Sequence, residues 1–143
     1  MPLVSRKGIL AIAAVIDIAL YARGRPVSAK TLAARHELPP RHLEPVLQAL
    51  VRDGILKGIR GPHGGYELAR EQKLITAEDI LRSAGSAEEA DEVPLPASML
   101  VTDVVRPALV EAERTFSAAL GRINVEDMIM RAGTLTGPPA EPA

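Results

Sequence analysis

The sequence predicts a mainly helical fold with one small β-hairpin and a long helix appended on the C-terminal side. Three observations carry this expectation. Gly61, Pro62, Gly64 and Gly65 crowd together within Arg60-Gly61-Pro62-His63-Gly64-Gly65-Tyr66-Glu67-Leu68-Ala69-Arg70, which is turn chemistry and not helix interior. Most other apolar residues recur at helical spacing. The only aromatic residues are Tyr21, Tyr66 and Phe116, so the core is aliphatic and alanine-rich, a composition that suits packed helices.

The chain opens on Ser5-Arg6-Lys7 and an apolar run from Gly8 to Ala22. Ile9, Ile12, Ala13, Ile16 and Leu20 lie on one helical stripe with Ala19. The run resembles a signal peptide only superficially. Asp17 interrupts it, no small-residue cleavage site follows, and it is too short to span a bilayer. It reads as the first helix of a cytoplasmic domain without a membrane partner, with Asp17 at the domain edge pairing with a basic group.

Ser28 suits the N-cap of a short helix over 29–35. His36-Glu37-Leu38-Pro39 forms the following turn, because a residue before proline avoids the helical region. Pro40 is well placed as the first residue of a second helix ending near Asp53, with Gly54 at its C-terminal cap. Leu43, Val46, Leu47, Leu50 and Val51 give that helix one buried stripe, and Arg41, Pro45, Gln48 and Arg52 mark the opposite stripe. Ile55–Ile59 and Tyr66–Leu68 alternate as strands, and the glycine-rich segment between them is a protruding tip. Its glycines allow close approach of another backbone. Helix, turn, helix and basic-flanked hairpin together describe a winged helix-turn-helix. In that arrangement arginine reads guanine and glutamine reads adenine in a DNA major groove.

Several of these segments resemble the Rrf2 family, bacterial winged-helix transcription regulators that include the iron–sulfur cluster regulator and the nitric-oxide-sensitive repressor. They are Val4-Ser5-Arg6-Lys7-Gly8, Ile16-Asp17-Ile18-Ala19-Leu20, Pro26-Val27-Ser28-Ala29-Lys30, Leu43-Glu44-Pro45-Val46-Leu47, the Arg60–Tyr66 wing and Ile75-Thr76-Ala77-Glu78-Asp79-Ile80. The resemblance covers residues 3–131 and implies a homodimer on an imperfect palindrome of double-stranded DNA near a promoter. The expected DNA-contacting residues are Ser5, Arg6 and Lys7, then Ser28 and Lys30, then Arg41, His42, Gln48 and Arg52. In the wing they are Arg60, Gly61, His63, Gly64, Gly65 and Tyr66.

The departure from the family is equally specific. Many members carry three cysteines between the short helix after the wing and the long dimer helix, where they hold an iron–sulfur cluster. Here that stretch is Gly85-Ser86-Ala87-Glu88-Glu89-Ala90-Asp91-Glu92-Val93-Pro94-Leu95-Pro96, and the chain has no cysteine. Thiolate-ligated clusters and disulfide switches are excluded. No cofactor is expected, and the expected signal is a small-molecule effector or a partner protein. His36, His42 and His63 match no zinc spacing and are read as facing DNA or solvent, so no metal site is expected.

Net charge is −1, but residues 1–73 hold 12 Lys/Arg against 6 Asp/Glu, whereas residues 74–143 hold 5 against 12. The half with the helix-turn-helix is the basic half, as a phosphate backbone requires. An enzyme is not expected: there is no nucleophile–base arrangement, no paired-carboxylate signature and no P-loop.

The second half supplies association. A short helix from Thr76 to about Ala84 is followed by an acidic loop over 85–97. Val101, Val104, Val105, Ala108, Leu109, Ala112, Phe116, Ala119, Leu120 and Ile123 then trace a helical stripe, with Pro107 expected to kink or restart the helix near Val104. Asn124 caps a last short helix, and residues 133–143 read as a disordered tail. The resulting division is a DNA-binding domain over 1–84, the loop over 85–97, dimerisation helices over 98–132 and the tail. Val101, Val105, Leu109, Ala112, Phe116 and Leu120 are the expected dimer contacts. The function expected is sequence-specific regulation of transcription, with repression as its sign. The alternative is a winged-helix docking module acting through a metabolic partner protein.

Overall fold

A computed structural model describes residues 4–86 and 98–136. Its elements, in order, are α1 (Arg6–Tyr21), α2 (Ala29–Arg35), α3 (Pro40–Arg52), β1 (Leu56–Ile59), β2 (Gly65–Leu68), a short 3-10 turn (Gln72–Leu74), α4 (Ala77–Ser86), a wide turn (Leu100–Val105), α5 (Arg106–Gly121) and α6 (Val125–Thr136). The architecture is mainly helical with one antiparallel hairpin, the winged helix-turn-helix class that the sequence predicts.

Local chemistry explains most boundaries. Ser5 and Ser28 cap α1 and α2, accepting from the backbone N–H groups of Gly8 and Thr31 at 3.0 Å each. Pro40 starts α3. Reciprocal caps open α4 and α6. Asp79 N–H donates to the Thr76 hydroxyl at 3.1 Å while Thr76 N–H donates to the Asp79 carboxylate, and Asn124 and Asp127 repeat the exchange. Pro107 is the second residue of α5. It has no N–H for the Asp103 carbonyl, and the preceding turn widens so that Arg106 N–H reaches Val101 instead. The expected restart of the long helix therefore lies here.

One aliphatic core joins Ala11, Ala14, Val15 and Ile18 of α1 to Leu32 of α2, Leu43, Val46, Leu47 and Leu50 of α3, Ile55 and Leu56 at the hairpin, Ile75, Ile80 and Val125. Val125 belongs to α6, which returns from the long helix and packs on α1. The core therefore does not respect a boundary at residue 84, because the first residue of the last helix completes it. Two backbone hydrogen bonds, Ala77 N–H to Ile123 O and Val125 N–H to Ile75 O, fasten that return.

Three further expectations are corrected. The deep side of α1 is Ala11, Ala14, Val15 and Ile18, whereas Ile9, on the stripe read from the sequence, is 51% exposed. The helix is apolar nearly all round, so periodicity alone cannot choose its inner face. Asp17 is not at the domain edge. It is buried, and its carboxylate accepts two hydrogen bonds from Arg35, at 2.7 and 2.9 Å, and contacts His36 Nε2 at 3.0 Å. His36 consequently faces inward and not toward DNA. Finally, α6 continues through Gly133 to Thr136, where the sequence suggested the start of the tail. Residues 87–97 of the expected acidic loop and 137–143 of the expected tail lie outside the described residues.

Candidate nucleic-acid interface

The apolar stripe of α3 is sunk in the core except at its end: Leu43, Val46, Leu47 and Leu50 have no exposure, whereas Val51, expected on the same stripe, is 36% exposed where the helix runs out of the core. Arg41, His42, Glu44, Pro45 and Gln48 are consequently turned to solvent, since one face of a helix can be buried only by exposing the other. Neither Arg41 nor Lys30 forms an ion pair among the described residues. Both cations are available to an anionic partner. Arg52, at the C-terminal end of the same face, is differently engaged. Its guanidinium lies 3.5 Å from the Asp53 carboxylate and lines a hollow with Arg70, Asp79 and Arg82.

The wing is built next to this helix. In the hairpin, Leu56 pairs with Leu68, Lys57 with Glu67, Gly58 with Tyr66 and Ile59 with Gly65. Lys57 and Glu67, directly opposed, form a cross-strand ion pair at 3.4 Å. Arg70 fastens the base of the hairpin to the end of α3. Its Nε and Nη2 donate to the carbonyls of Gly54 and Asp53 at 3.1 Å each, and Nη1 meets Asp79. Beyond its place in the motif, no local signal in the sequence singles out Arg70.

The expected close approach at the glycines is intramolecular. A Cβ on Gly64 would lie 2.2 Å from the Ile59 carbonyl oxygen, and one on Gly65 would lie 2.4 Å from that of Val27. Both glycines thus make room for the chain's own backbone. Tyr66 packs its ring against the core while its backbone bonds to Val27. This leaves Arg60, Gly61 and His63 exposed at the tip, with Arg60 unpaired among the described residues. Exposed Arg6 and Lys7 open α1 beyond the Ser5 cap.

The expected dimer residues divide. Val105, Leu109 and Ala112 are exposed, Leu109 by 62%, whereas Val101, Phe116 and Leu120 are half-buried. Leu100, Val104 and Val110 extend the exposed apolar surface. Across the molecule, Ala13, Ile16, Leu20 and Tyr21 of α1 line an open hollow of about 450 Å³ floored by Asp17, Arg35 and His36. No described helix is long and apolar enough to cross a membrane.

Residues 4–131 match the Rrf2 family, described as an iron-dependent transcriptional regulator. This chain belongs to the Rrf2 family. Among its relatives is the HTH-type transcriptional regulator CymR of Bacillus subtilis, 37% identical over 79 residues, which are 55% of this chain and 57% of CymR. Another is the HTH-type transcriptional regulator IscR of Xenorhabdus nematophila, 29% identical over 59% of this chain and 51% of IscR. The chain spans about half the length of the curated relatives it matches. Among solved structures, T. potens IscR superposes with a TM-score of 0.72 at 29% identity, covering 97% of this chain and 93% of that one. B. subtilis CymR, described as the global cysteine regulator of that organism, gives 0.66 at 26% identity, covering 90% and 96%. These relatives are regulators and not enzymes.

The family's description as iron-dependent can be tested against the donors present. The chain has no cysteine, and no three His, Asp or Glu side chains converge on a metal-sized site among the described residues. His36, one of three histidines, is held by Asp17. The residues do not fit a thiolate-ligated cluster.

Proposed function

We propose that this Rrf2 protein is a sequence-specific DNA-binding repressor that acts in the cytoplasm as a homodimer on a palindromic operator, with a signal other than a thiol-ligated iron–sulfur cluster. The observation that carries the reading is the exposed polar face of α3, with Arg41 and Gln48 free of intramolecular ion pairs, beside a wing whose exposed tip presents Arg60 and His63. Arg41 and Gln48 supply the donor patterns that read guanine and adenine edges, while Arg60 and His63 suit phosphate or the minor groove. The net positive charge of residues 1–73 supports the same partner.

The homodimer rests on α5. Its exposed Leu109 and Val110, with Val105 just before it, form an apolar strip that a second copy can cover, and the hollow on α1 offers a surface to receive it. A two-fold axis would set two recognition helices roughly 34 Å apart, about one turn of B-DNA. The signal is read as a small molecule or a partner protein. The purified protein is expected to be colourless and to bind DNA equally with and without air or reductant.

Selection of bound duplexes from a random pool, followed by sedimentation of the protein alone and with the recovered duplex, tests the proposal. A palindromic motif bound two chains to a duplex is the expected result. A monomer that binds one half-site as tightly as the whole palindrome contradicts the dimer, and recovery of no motif contradicts specific DNA binding.

A further inference from the structure

Between α1 and α2 the chain runs Arg23-Gly24-Arg25-Pro26. Gly24 has φ +78°, and the turn it makes leaves both flanking arginines exposed. Neither arginine forms an ion pair among the described residues. Both border a groove of about 530 Å³ whose other side is the wing tip, Pro62, His63 and Gly64. Ser28 and Thr31 contribute hydroxyls, and no acidic side chain among the described residues lines it. Arg35 also reaches the groove, but its charge is committed to Asp17 and its plane stacks 4.1 Å above the Tyr21 ring. Among the described residues, the cations of the groove left without an ion pair are those of the loop.

Such a groove has the chemistry of a phosphodiester track. Two unpaired guanidinium groups present fork-shaped donors to phosphate oxygens, and His63 adds a ring N–H from the opposite wall. The track opens beside the wing tip, and none of the residues lining it belongs to α3. Side chains placed there meet sugar–phosphate backbone and carry no base information. Neither Arg23 nor Arg25 is in an ion pair among the described residues, and the loop itself is tied by the backbone bond from Arg23 N–H to Tyr21 O at 2.9 Å.

We infer that the groove between the Arg23–Arg25 loop and the wing tip is a second phosphate-binding site, which seats the duplex backbone flanking the segment read by α3 and the wing. The inference rests on the DNA-binding reading above. It assigns to Arg23 and Arg25 a contribution to affinity and to salt dependence, and none to sequence preference.

The test compares the full chain with Arg23→Gln/Arg25→Gln and Arg23→Lys/Arg25→Lys. The probes are a 40-bp duplex carrying the motif selected by the unaltered protein and a 40-bp duplex of scrambled sequence, titrated by fluorescence anisotropy across a salt series. Loss of two phosphate contacts per protomer lowers the slope of log affinity against log salt by about 0.9 for each contact. The glutamine variant is expected to bind both duplexes more weakly by a common factor, on the order of tenfold, and to select the same motif. The lysine variant should recover most of the slope. An unchanged slope in the glutamine variant, or an altered motif, overturns the groove assignment and leaves the DNA-binding function standing. An unaltered protein that binds neither duplex at low salt overturns both.

Discussion

Val27 and Tyr66, 39 residues apart in the chain, exchange both backbone hydrogen bonds: Val27 N–H donates to Tyr66 O at 2.9 Å, and Tyr66 N–H donates to Val27 O at 2.8 Å. Val27 immediately precedes the Ser28 cap of α2, and Tyr66 follows the wing glycines. The entry to the helix-turn-helix and the wing are thus one hydrogen-bonded unit. The wing cannot rotate against α2 without breaking both hydrogen bonds, each worth about 0.5–1.5 kcal/mol net.

Gly65→Ala should break that unit. Its Cβ would sit 2.4 Å from the Val27 carbonyl oxygen and 2.7 Å from Ser28 N, so the hairpin must move. The expected loss is about 2 kcal/mol of stability, with weakened binding to all DNA sequences. Gly58→Ala, where nothing lies within 4 Å of the added methyl, should stay within about 0.5 kcal/mol. Urea unfolding of both variants decides. Equal midpoints would mean that the wing is not held through Val27.

Asp17→Ala should be more damaging than a surface change. It leaves Arg35 and His36, at the C-terminal end of α2, without their shared acceptor. Removing one member of a buried charge pair costs about 3–5 kcal/mol. Asp17→Ala/Arg35→Met should recover part of that loss, because the second change removes the stranded charge. Thermal unfolding of the single and double variants reads the coupling, and strict additivity would contradict it.

The sequence made local features legible and non-local ones opaque. Ser28, Pro40 and Asn124 announce helix starts through chemistry confined to one turn, and Pro107 announces a restart for the same reason. The tip of the wing could be read because Gly61, Pro62, Gly64 and Gly65 exclude a helix. What close approach Gly65 serves could not be read, because the approaching backbone, Val27, is distant in sequence. The inner face of α1 was hidden by apolar residues on nearly every side. Asp17 could be expected to find a cation, but only folding brings Arg35 and His36 to it. Arg23 and Arg25 are unremarkable as a sequence, and the groove exists only once the wing folds back beside them.

Glu37 is the one non-glycine residue with positive φ, +53°, among the described residues. It lies in the turn between α2 and α3. A left-handed conformation costs an ordinary residue roughly 1–2 kcal/mol, part of which glycine returns as lost backbone entropy. Glu37→Gly should therefore stabilise the protein by about 0.5–1 kcal/mol, and Glu37→Val should destabilise it. Melting temperatures ranked in the opposite order would show that the turn relaxes to accommodate the side chain.

Acid should weaken the junction between α3 and α4. The neighbouring Ser83 hydroxyl, and then Arg52, hold the Asp53 carboxyl below its ordinary 3.8, with slight burial opposing them. A depressed carboxyl stabilises the folded state above the unfolded value, and that contribution disappears as pH falls through the folded one. It is thus complete at neutral pH and lost only below 3.8. Ser83→Ala should raise the Asp53 pKa toward that ordinary value, as read by carboxyl NMR titration. A midpoint unmoved by the change would assign the depression to Arg52 alone.

Recognition helix and wing should separate by what they do to specificity. Arg41→Ala or Gln48→Ala removes a side chain proposed to read base edges. Each should cost on the order of 1–3 kcal/mol on the selected duplex and relax preference at particular base pairs. Arg60→Ala removes a wing cation and should weaken selected and scrambled duplexes alike, with a shallower salt dependence. Repeating the selection with each variant distinguishes the roles, because a lost phosphate contact leaves the motif intact whereas a lost base contact blurs it at one position. If Arg41→Ala and Arg60→Ala return the same motif with the same information at every position, α3 is not the element that reads the bases.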